Sequence, residues 1–253
     1  MPCLLPGVWL ALSFAVSPFA PPPVPLRIAA ASDLRFALDE ILVRFKADNP
    51  GVTAEATYGS SGNFFAQIRE GAPYDLFLSA DGDYVRRLVT AGQEETPFHY
   101  ATGRLALVVS VDSGLDPSKF NTVLLAPAVH RVAIANPAHA PYGRAAVAAL
   151  RSWGLYDLVA PHLVFGDSVS QATQFVDSGA AQAGIVALSL ARSSGGRLRF
   201  SEIPETAHPK IEQTGLILNR AISPRAARAL RDLLLGETGR RVLERNGFGL
   251  PPP

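Results

Sequence analysis

The chain has 253 residues, of which 48% are hydrophobic and 18% are charged, and its formal net charge is +1. This length and apolar content suit a globular protein with a sizeable core and one or two domains. Because nucleic acids and acidic membranes attract strongly basic surfaces, the near-neutral charge argues against both as main partners.

The N-terminal segment is apolar and interrupted by proline, and residues 1–20 read MPCLLPGVWLALSFAVSPFA. It is too short and too broken for a membrane-spanning helix and is typical of a secretory leader. It has no Lys or Arg near its start, and Pro21 after Ala20 is a poor cleavage position. The only cysteine is Cys3, so the chain without its leader has no thiol, which suits an oxidising compartment. We predict that residues 1–25 are a leader and spacer and that the protein is exported to the periplasm.

The first part of the folded region alternates short apolar strands with amphipathic helices. The pattern predicts strands over 26–31, 52–58 and 75–79, with helices led by Ser32, by Ser60-Ser61 and by Asp81. The order βαβαβα indicates a parallel sheet with helices on both faces. A long apolar strand over 104–111 is a natural crossing into a second lobe.

The second part repeats this alternation, with strands expected over 129–135, 163–165, 184–187 and 198–203 and helices over 142–153 and 169–178. The apolar segment 214–218 is expected to carry the chain back, and helices follow from Ser223-Pro224 and over 238–245. We therefore predict an α/β fold of two lobes, each a mostly parallel sheet flanked by helices. Lobe 1 would hold residues 26–105 and 212–253, and lobe 2 residues 106–211.

Four strand-to-helix junctions are candidates for one anion site: Ser32-Asp33, Ser60-Ser61, Pro141-Tyr142 and Ser168-Val169. Ligands of open parallel sheets bind beyond the carboxyl ends of the strands, so facing lobes would bring the four junctions together. Each helix N-terminus carries roughly half a positive charge, so four of them match a dianion without Lys or Arg. A single serine before a helix is more often only a cap, and the combination of junctions carries the prediction.

Several segments resemble the periplasmic molybdate-binding proteins of ABC importers: AAASDLRFALDEI, YGSSGNFFAQIREGAPYDLFLSAD, NPAHAPYGRAA, and GDSVSQA followed by AGIVA. The resemblance extends over essentially the whole chain after the leader, in family order. It implies a type-II periplasmic-binding fold that holds molybdate or tungstate as a bare tetrahedral oxyanion. It also implies delivery to an inner-membrane permease with ATPase subunits. We expect a monomer with no cofactor and no enzymatic activity.

The oxyanion-binding residues that the resemblance implies are Ser32, Asp33, Ser61, Tyr142 and Val169, with Ser60 and Ser168 as a second tier. Ser32 and Ser61 would donate from hydroxyl and amide. Asp33 and Val169 would donate from the backbone, and Tyr142 from its amide, its hydroxyl, or both. Molybdenum would be held only as molybdate, through hydrogen bonds from Ser32, Ser61, Tyr142 and Val169 to its oxygens.

Two positions depart from the family pattern. Some members place a binding tyrosine directly after the Gly-Ile-Val strand, where this chain has Ala187, and Tyr142 can supply that hydroxyl from across the cleft. Asp33 places a carboxylate at a junction meant for an anion. We expect it to favour the helix dipole and to point away from the ligand, since Asp is common in first helical turns. Pointing inward, it would repel molybdate and accept a proton from an anion such as hydrogen phosphate.

A site that offers only donors favours a fully ionised oxyanion, because a protonated one needs an acceptor. Each buried donor without a partner costs roughly 1–3 kcal/mol, so sulfate, with its shorter bonds, should bind worse than molybdate. Molybdate and tungstate share size and charge and should be hard to separate. The alternative to a molybdate-binding protein is a binding protein for another oxyanion, such as sulfate or phosphate.

The main rival from another class is a secreted serine hydrolase, suggested by Gly166-Asp167-Ser168. Esterase blocks of that form normally lie near the start of the mature chain with Asp-x-x-His near its end, whereas here the block is central and no histidine follows His208. No P-loop Gly-Lys pair or metal-type histidine spacing is present. A transcription regulator would need a DNA-binding helix pair before Leu26, which the apolar, proline-rich leader does not supply.

Overall fold

The computed structural model describes residues 23–93 and 95–251. The predicted leader and most of the spacer, residues 1–22, lie outside the described residues. Within the described ranges, no helix has the length and apolar content needed to cross a membrane.

The strands and helices alternate along most of the chain. The strands are β1 (Val24–Ala31), β2 (Val52–Gly59), β3 (Leu76–Ser79), β4 (Phe98–Gly103), β5 (Leu105–Ser110), β6 (Val132–Ala135), β7 (Leu163–Gly166), β8 (Ala183–Ala187), β9 (Leu198–Glu202) and β10 (Ile211–Ile217). The helices are α1 (Arg35–Asp48), α2 (Ser61–Arg69), α3 (Gly82–Thr90), α4 (Phe120–Leu124), α5 (Pro141–Ser152), α6 (Tyr156–Val159), α7 (Val169–Asp177), α8 (Leu188–Arg192), α9 (Pro224–Leu235) and α10 (Glu237–Arg245). A 3-10 turn, Ser32–Leu34, leads from β1 into α1.

The strands form two separate sheets of related topology, with strand orders β2-β1-β3-β10-β4 and β7-β6-β8-β5-β9. In the first sheet β1 pairs parallel with β2 and β3, while β10 lies antiparallel between β3 and β4. In the second, β6 pairs parallel with β7 and β8, while β5 lies antiparallel between β8 and β9. Four strands of each sheet therefore run in one direction, and the predicted architecture of two mostly parallel α/β lobes is confirmed.

Each sheet separates apolar layers because successive residues of a strand face opposite sides. In β1, Ile28 and Ala30 pack into the layer that also holds α1, α9 and α10, whereas Ala29 packs into the layer of α2 and α3. The helix α1 shows the matching period, with Leu38 and Phe45 buried. The second lobe has a core of its own around β5, β6 and β8.

The chain passes between the lobes at Arg104 and again between β9 and β10. The strand β4, before the first crossing, was not predicted, because its sequence FHYATG has no clear apolar period. Its pairing with β10 is a contact between distant parts of the chain. The short helices α4 and α8 were also not predicted, being too short to show a helical repeat.

Candidate functional site

The four predicted junctions meet at one small cavity between the lobes. The strands β1 and β2 end side by side, with Ala31 opposite Gly59, so Ser32 and Ser60 follow at the same edge of the first sheet. The strands β6 and β7 end in the same way, with Ala135 opposite Gly166, so the segments leading to α5 and α7 leave together. Residues from all four junctions line the cavity.

The size and lining of the cavity indicate the kind of guest that fits. Its volume is about 10 Å³, far below the roughly 300–1,000 Å³ of pockets for drug-sized ligands. Small residues, Ala31, Gly59, Ala80 and Ala140, bring the backbone close to its centre. Among the described residues no Lys or Arg lines it. The cavity therefore suits a small ligand that is held by polar groups without a cationic side chain.

Ser61, at the start of α2, is 1% exposed and presents a hydroxyl donor to the cavity. Its Oγ accepts a hydrogen bond from the Ala80 amide at 2.9 Å, which fixes the position of the oxygen. In the part of the chain that the structure describes, its own hydroxyl hydrogen has no recorded acceptor. Because Ala80 occupies only an acceptor site, Ser61 remains free to donate to a guest.

Ser32 is arranged in the same way but is held from the opposite lobe. Its Oγ accepts from the Ser170 amide in the first turn of α7 at 3.3 Å, and the Ser170 hydroxyl donates to the Ser32 carbonyl at 3.1 Å. The Ser32 hydroxyl hydrogen likewise has no recorded acceptor within the described residues. This pair of bonds ties the first junction of one lobe to the α7 start of the other.

Tyr142 and Val169 lie in the first turns of α5 and α7, where backbone amides have no helical acceptor. Both residues are buried and line the cavity. The Tyr142 hydroxyl donates to Asp33 Oδ2 at 2.9 Å, so its single hydrogen is already used. Of the two donors expected from Tyr142, the amide is therefore the one still available.

Of the second-tier serines, Ser60 uses its hydroxyl hydrogen within the protein, and Ser168 is not in the lining of the cavity. Ser168 caps α7, its Oγ accepting from the Gln171 amide at 3.3 Å. The Ser60 hydroxyl donates to the His139 carbonyl of the other lobe at 2.7 Å. Both serines lie at the predicted junctions, but these contacts give them capping and interlobe roles.

Asp33 is 1% exposed and lies in a polar cluster at the floor of the cleft. Its Oδ2 accepts from the Tyr142 hydroxyl and, at 2.7 Å, from Gln213 Nε2. Its Oδ1 is buried and has no hydrogen-bond partner among the described residues. Burial raises the pKa of Asp33 to about 6 from its ordinary 3.8, and the hydrogen bonds from Tyr142 and Gln213, with the dipoles of the nearby Asp33 and Leu34 amides, partly oppose that rise.

The groups behind Asp33 were missed by reasoning from the sequence. Gln213 is fully buried in β10, and its Oε1 accepts from the Tyr100 hydroxyl at 2.9 Å. Burial, with the nearby charge of Asp33, raises the pKa of Tyr100 and of Tyr142 well above 10, so both remain donors. The sequence carried little signal for Gln213, because it stands between two other polar residues, Glu212 and Thr214, in β10.

The lobes also touch beside the cavity, through the His139 carbonyl. This oxygen, in the loop before α5, accepts from the Ser60 hydroxyl, from the Gly62 amide at 3.0 Å and from the Tyr84 hydroxyl at 3.4 Å. Arg144 of the second lobe adds a hydrogen bond to Tyr84 and an ion pair with Asp81. The structure therefore shows the two lobes closed on each other.

A wider depression of about 370 Å³ lies next to the cleft, and most of its charged side chains are paired with each other, with Lys210 also in its lining. Arg144 pairs with Asp81, and Arg86 pairs with Asp83 and with Glu212. Within the described residues no group of His, Cys, Asp and Glu is arranged to hold a metal ion. The small cavity is the better candidate because, among the described residues, the Ser32 and Ser61 hydroxyls have no acceptor there.

The model of the family described as bacterial extracellular solute-binding protein matches residues 26–249. The chain is 34% identical over 229 residues to the molybdate-binding protein ModA of Azotobacter vinelandii, spanning 89% of this chain and 90% of that protein. It is 31% identical over 246 residues to ModA of Escherichia coli (strain K12), spanning 94% of each.

Solved structures give the same picture of the fold. The periplasmic molybdate-binding protein of Azotobacter vinelandii aligns with a TM-score of 0.83 and 29% identity, over 90% of this chain and 100% of that chain. The sulfate-binding protein SubI of Mycobacterium tuberculosis H37Rv aligns with a TM-score of 0.75 at 18% identity, over 91% of this chain and 88% of that chain, which shows a shared fold alone.

Proposed function

The chain belongs to the ModA family of bacterial extracellular solute-binding proteins, and we propose that it captures molybdate in the cavity between its lobes and delivers it to an ABC importer. The observation that carries this proposal is the convergence of four helix starts on one small cavity without a basic side chain. The sequence relatives named ModA support molybdate as the guest.

The charge of the guest follows from the helix starts. Each contributes roughly half a positive charge, so the four together amount to about two positive charges facing the cavity. A tetrahedral dianion neutralises this charge and accepts hydrogen bonds at every oxygen. Lobe 1 supplies the hydroxyls of Ser32 and Ser61, and lobe 2 supplies the first-turn amides of Tyr142 and Val169.

Donors from both lobes make capture depend on closure. An anion held by Ser32 and Ser61 alone would leave Tyr142 and Val169 without acceptors, so binding free energy favours the closed arrangement. The His139 contact and the bonds between Ser32 and Ser170 stabilise the same arrangement. We propose that the lobes open to release the anion to a permease with ATPase subunits.

The finer properties are part of the same proposal. Tungstate should bind about as well as molybdate, and sulfate more weakly because it does not reach all donors. The protein acts in the periplasm as a monomer after export through its N-terminal leader, with no nucleic-acid partner and no cofactor. It is a carrier and not an enzyme, and Ser168 of the Gly166-Asp167-Ser168 segment serves as the cap of α7.

Isothermal titration calorimetry of the ligand-stripped protein tests this function with molybdate, tungstate, sulfate and phosphate as separate ligands. We expect one site per chain, similar affinities for molybdate and tungstate, and weaker binding of the other two anions. Tighter binding of sulfate or phosphate than of molybdate, or no binding of molybdate, would contradict the proposal. A melting temperature that rises with molybdate concentration gives an independent readout.

A further inference from the structure

Asp33 is a buried carboxyl group beside an anion cavity, and no cation accompanies it. The titratable groups that face it are Tyr142 from α5 and Tyr100 from β4, and both are neutral. Gln213 from β10 donates to its carboxyl, and Ser189 from α8 donates to its backbone carbonyl at 2.9 Å. Within the described residues no Lys, Arg or His pairs with this carboxyl group.

The two carboxyl oxygens of Asp33 have different surroundings. Oδ2 accepts from Tyr142 at 2.9 Å and from Gln213 at 2.7 Å, whereas Oδ1 is buried and unpartnered. The Gln213 side chain is held in place by the Tyr100 hydroxyl, which donates to its amide oxygen. A hydrogen on Oδ1 would remove the unpaired buried charge and turn this oxygen into a donor.

A dianion in the cavity strengthens the case for that hydrogen. Like charges at short distance in a poorly solvated site disfavour the ionised carboxyl group. The carboxyl is already hard to ionise before any anion enters, because burial raises its pKa to about 6. An ionised Asp33 and a bound dianion would therefore oppose each other, whereas a neutral Asp33 adds one more donor to a site made of donors.

We propose that Asp33 takes up one proton from solvent when the oxyanion binds and that Oδ1, carrying this proton, donates a hydrogen bond to the anion. The ionised protein, the dianion and one proton thus form a complex in which Asp33 is a neutral acid. This inference rests on the proposed function. It makes Asp33 the residue that sets the pH range of capture.

The pH dependence follows from the direction of the change. Below about pH 6 Asp33 is already protonated in the free protein, so binding takes up no proton and the affinity is constant. Above pH 6 each binding event takes up one proton, and the affinity falls about tenfold per pH unit. Between pH 7 and pH 9 the affinity for molybdate should therefore fall about 100-fold.

The test is titration calorimetry with molybdate in Hepes and in Tris, whose ionisation enthalpies differ, combined with a series of pH values. The wild-type protein should take up about one proton per molybdate at pH 8. Asp33→Asn should take up none and keep a constant affinity from pH 7 to pH 9. Its amide supplies a permanent donor, while its oxygen can accept from Tyr142 and Gln213. Asp167→Asn, an exposed carboxyl near the α7 junction, is the matched control and should behave like the wild type.

A spectroscopic readout separates protonation from an indirect effect. The infrared difference spectrum on adding molybdate at pH 8 should show a new carboxylic-acid carbonyl band in the wild type and in Asp167→Asn, but not in Asp33→Asn. Molybdate binding by the wild type without proton uptake, without pH dependence and without this band would overturn the proposal. Absence of molybdate binding even at pH 6 would instead refute the proposed function, and the two failures are therefore distinguishable.

Discussion

Gly62 offers a way to oppose closure of the lobes without removing any proposed donor to the anion. It is the second residue of α2 and lies against the loop before α5. A Cβ atom at this position would lie 2.4 Å from the His139 carbonyl oxygen and 2.9 Å from the His139 Cβ. It would also lie 2.7 Å from the Tyr84 hydroxyl, the far end of a side chain that can shift. Since His139 belongs to the other lobe, Gly62→Ala should obstruct the closed arrangement and leave the open one unaffected.

The size of the effect follows from the bonds that the His139 carbonyl accepts. They come from the Ser60 hydroxyl, the Gly62 amide and the Tyr84 hydroxyl, and each contributes about 0.5–1.5 kcal/mol net. Losing most of them should weaken molybdate binding by roughly 2–4 kcal/mol, which is about 30-fold to 1,000-fold. Alanine also favours the helix over glycine by roughly 0.5–1 kcal/mol, so the ligand-free protein should be as stable as the wild type or more stable.

The assay combines titration calorimetry, thermal melting of the ligand-free protein, and small-angle X-ray scattering with and without molybdate. Gly62→Ala should show weaker binding, an unchanged or higher melting temperature, and a smaller compaction on adding molybdate. Gly51→Ala is the matched control, because a Cβ there would meet nothing within 4 Å. Wild-type affinity in Gly62→Ala would refute the reasoning, since it would show that capture does not bring Gly62 against His139.

Three further changes test the site and its surroundings. Ser61→Ala should weaken molybdate binding by about 1–3 kcal/mol in calorimetry, and unchanged affinity would remove this hydroxyl from the site. Asp33→Asn should stabilise the ligand-free protein against urea at pH 8 by up to about 3 kcal/mol, which corresponds to raising a pKa from 3.8 to about 6. The gain should shrink as the pH falls toward 4, because the wild-type carboxyl then becomes neutral, and a gain independent of pH would contradict its burial as an acid. Ser168→Ala removes the cap of α7 and should cost about 1 kcal/mol of unfolding free energy, whereas loss of an esterase activity on its mutation would support the hydrolase alternative.

The sequence by itself determined the local elements and the places where they meet. Apolar residues at helical spacing predicted α1, and Leu38 and Phe45 are buried on it as expected. The alternation of strands and helices predicted parallel strands whose carboxyl ends share one edge. For that reason the positions of the junctions at Ser32, Ser61, Tyr142 and Val169 follow from the sequence pattern alone. Local pattern is sufficient here because each junction depends only on where one strand ends and the next helix begins.

Only the tertiary structure decided what each polar group at the cleft contacts. Tyr142 and Asp33 are 109 residues apart in sequence, Gln213 and Asp33 180 residues, and Ser60 and His139 79 residues. A hydroxyl that is free to bind an anion and a hydroxyl that already donates to another side chain look the same in the sequence. They differ only in whether a residue from a distant segment of the chain lies within hydrogen-bond distance. Burial acts in the same way, since the pKa of Asp33 is raised by packing against segments that are distant in the sequence.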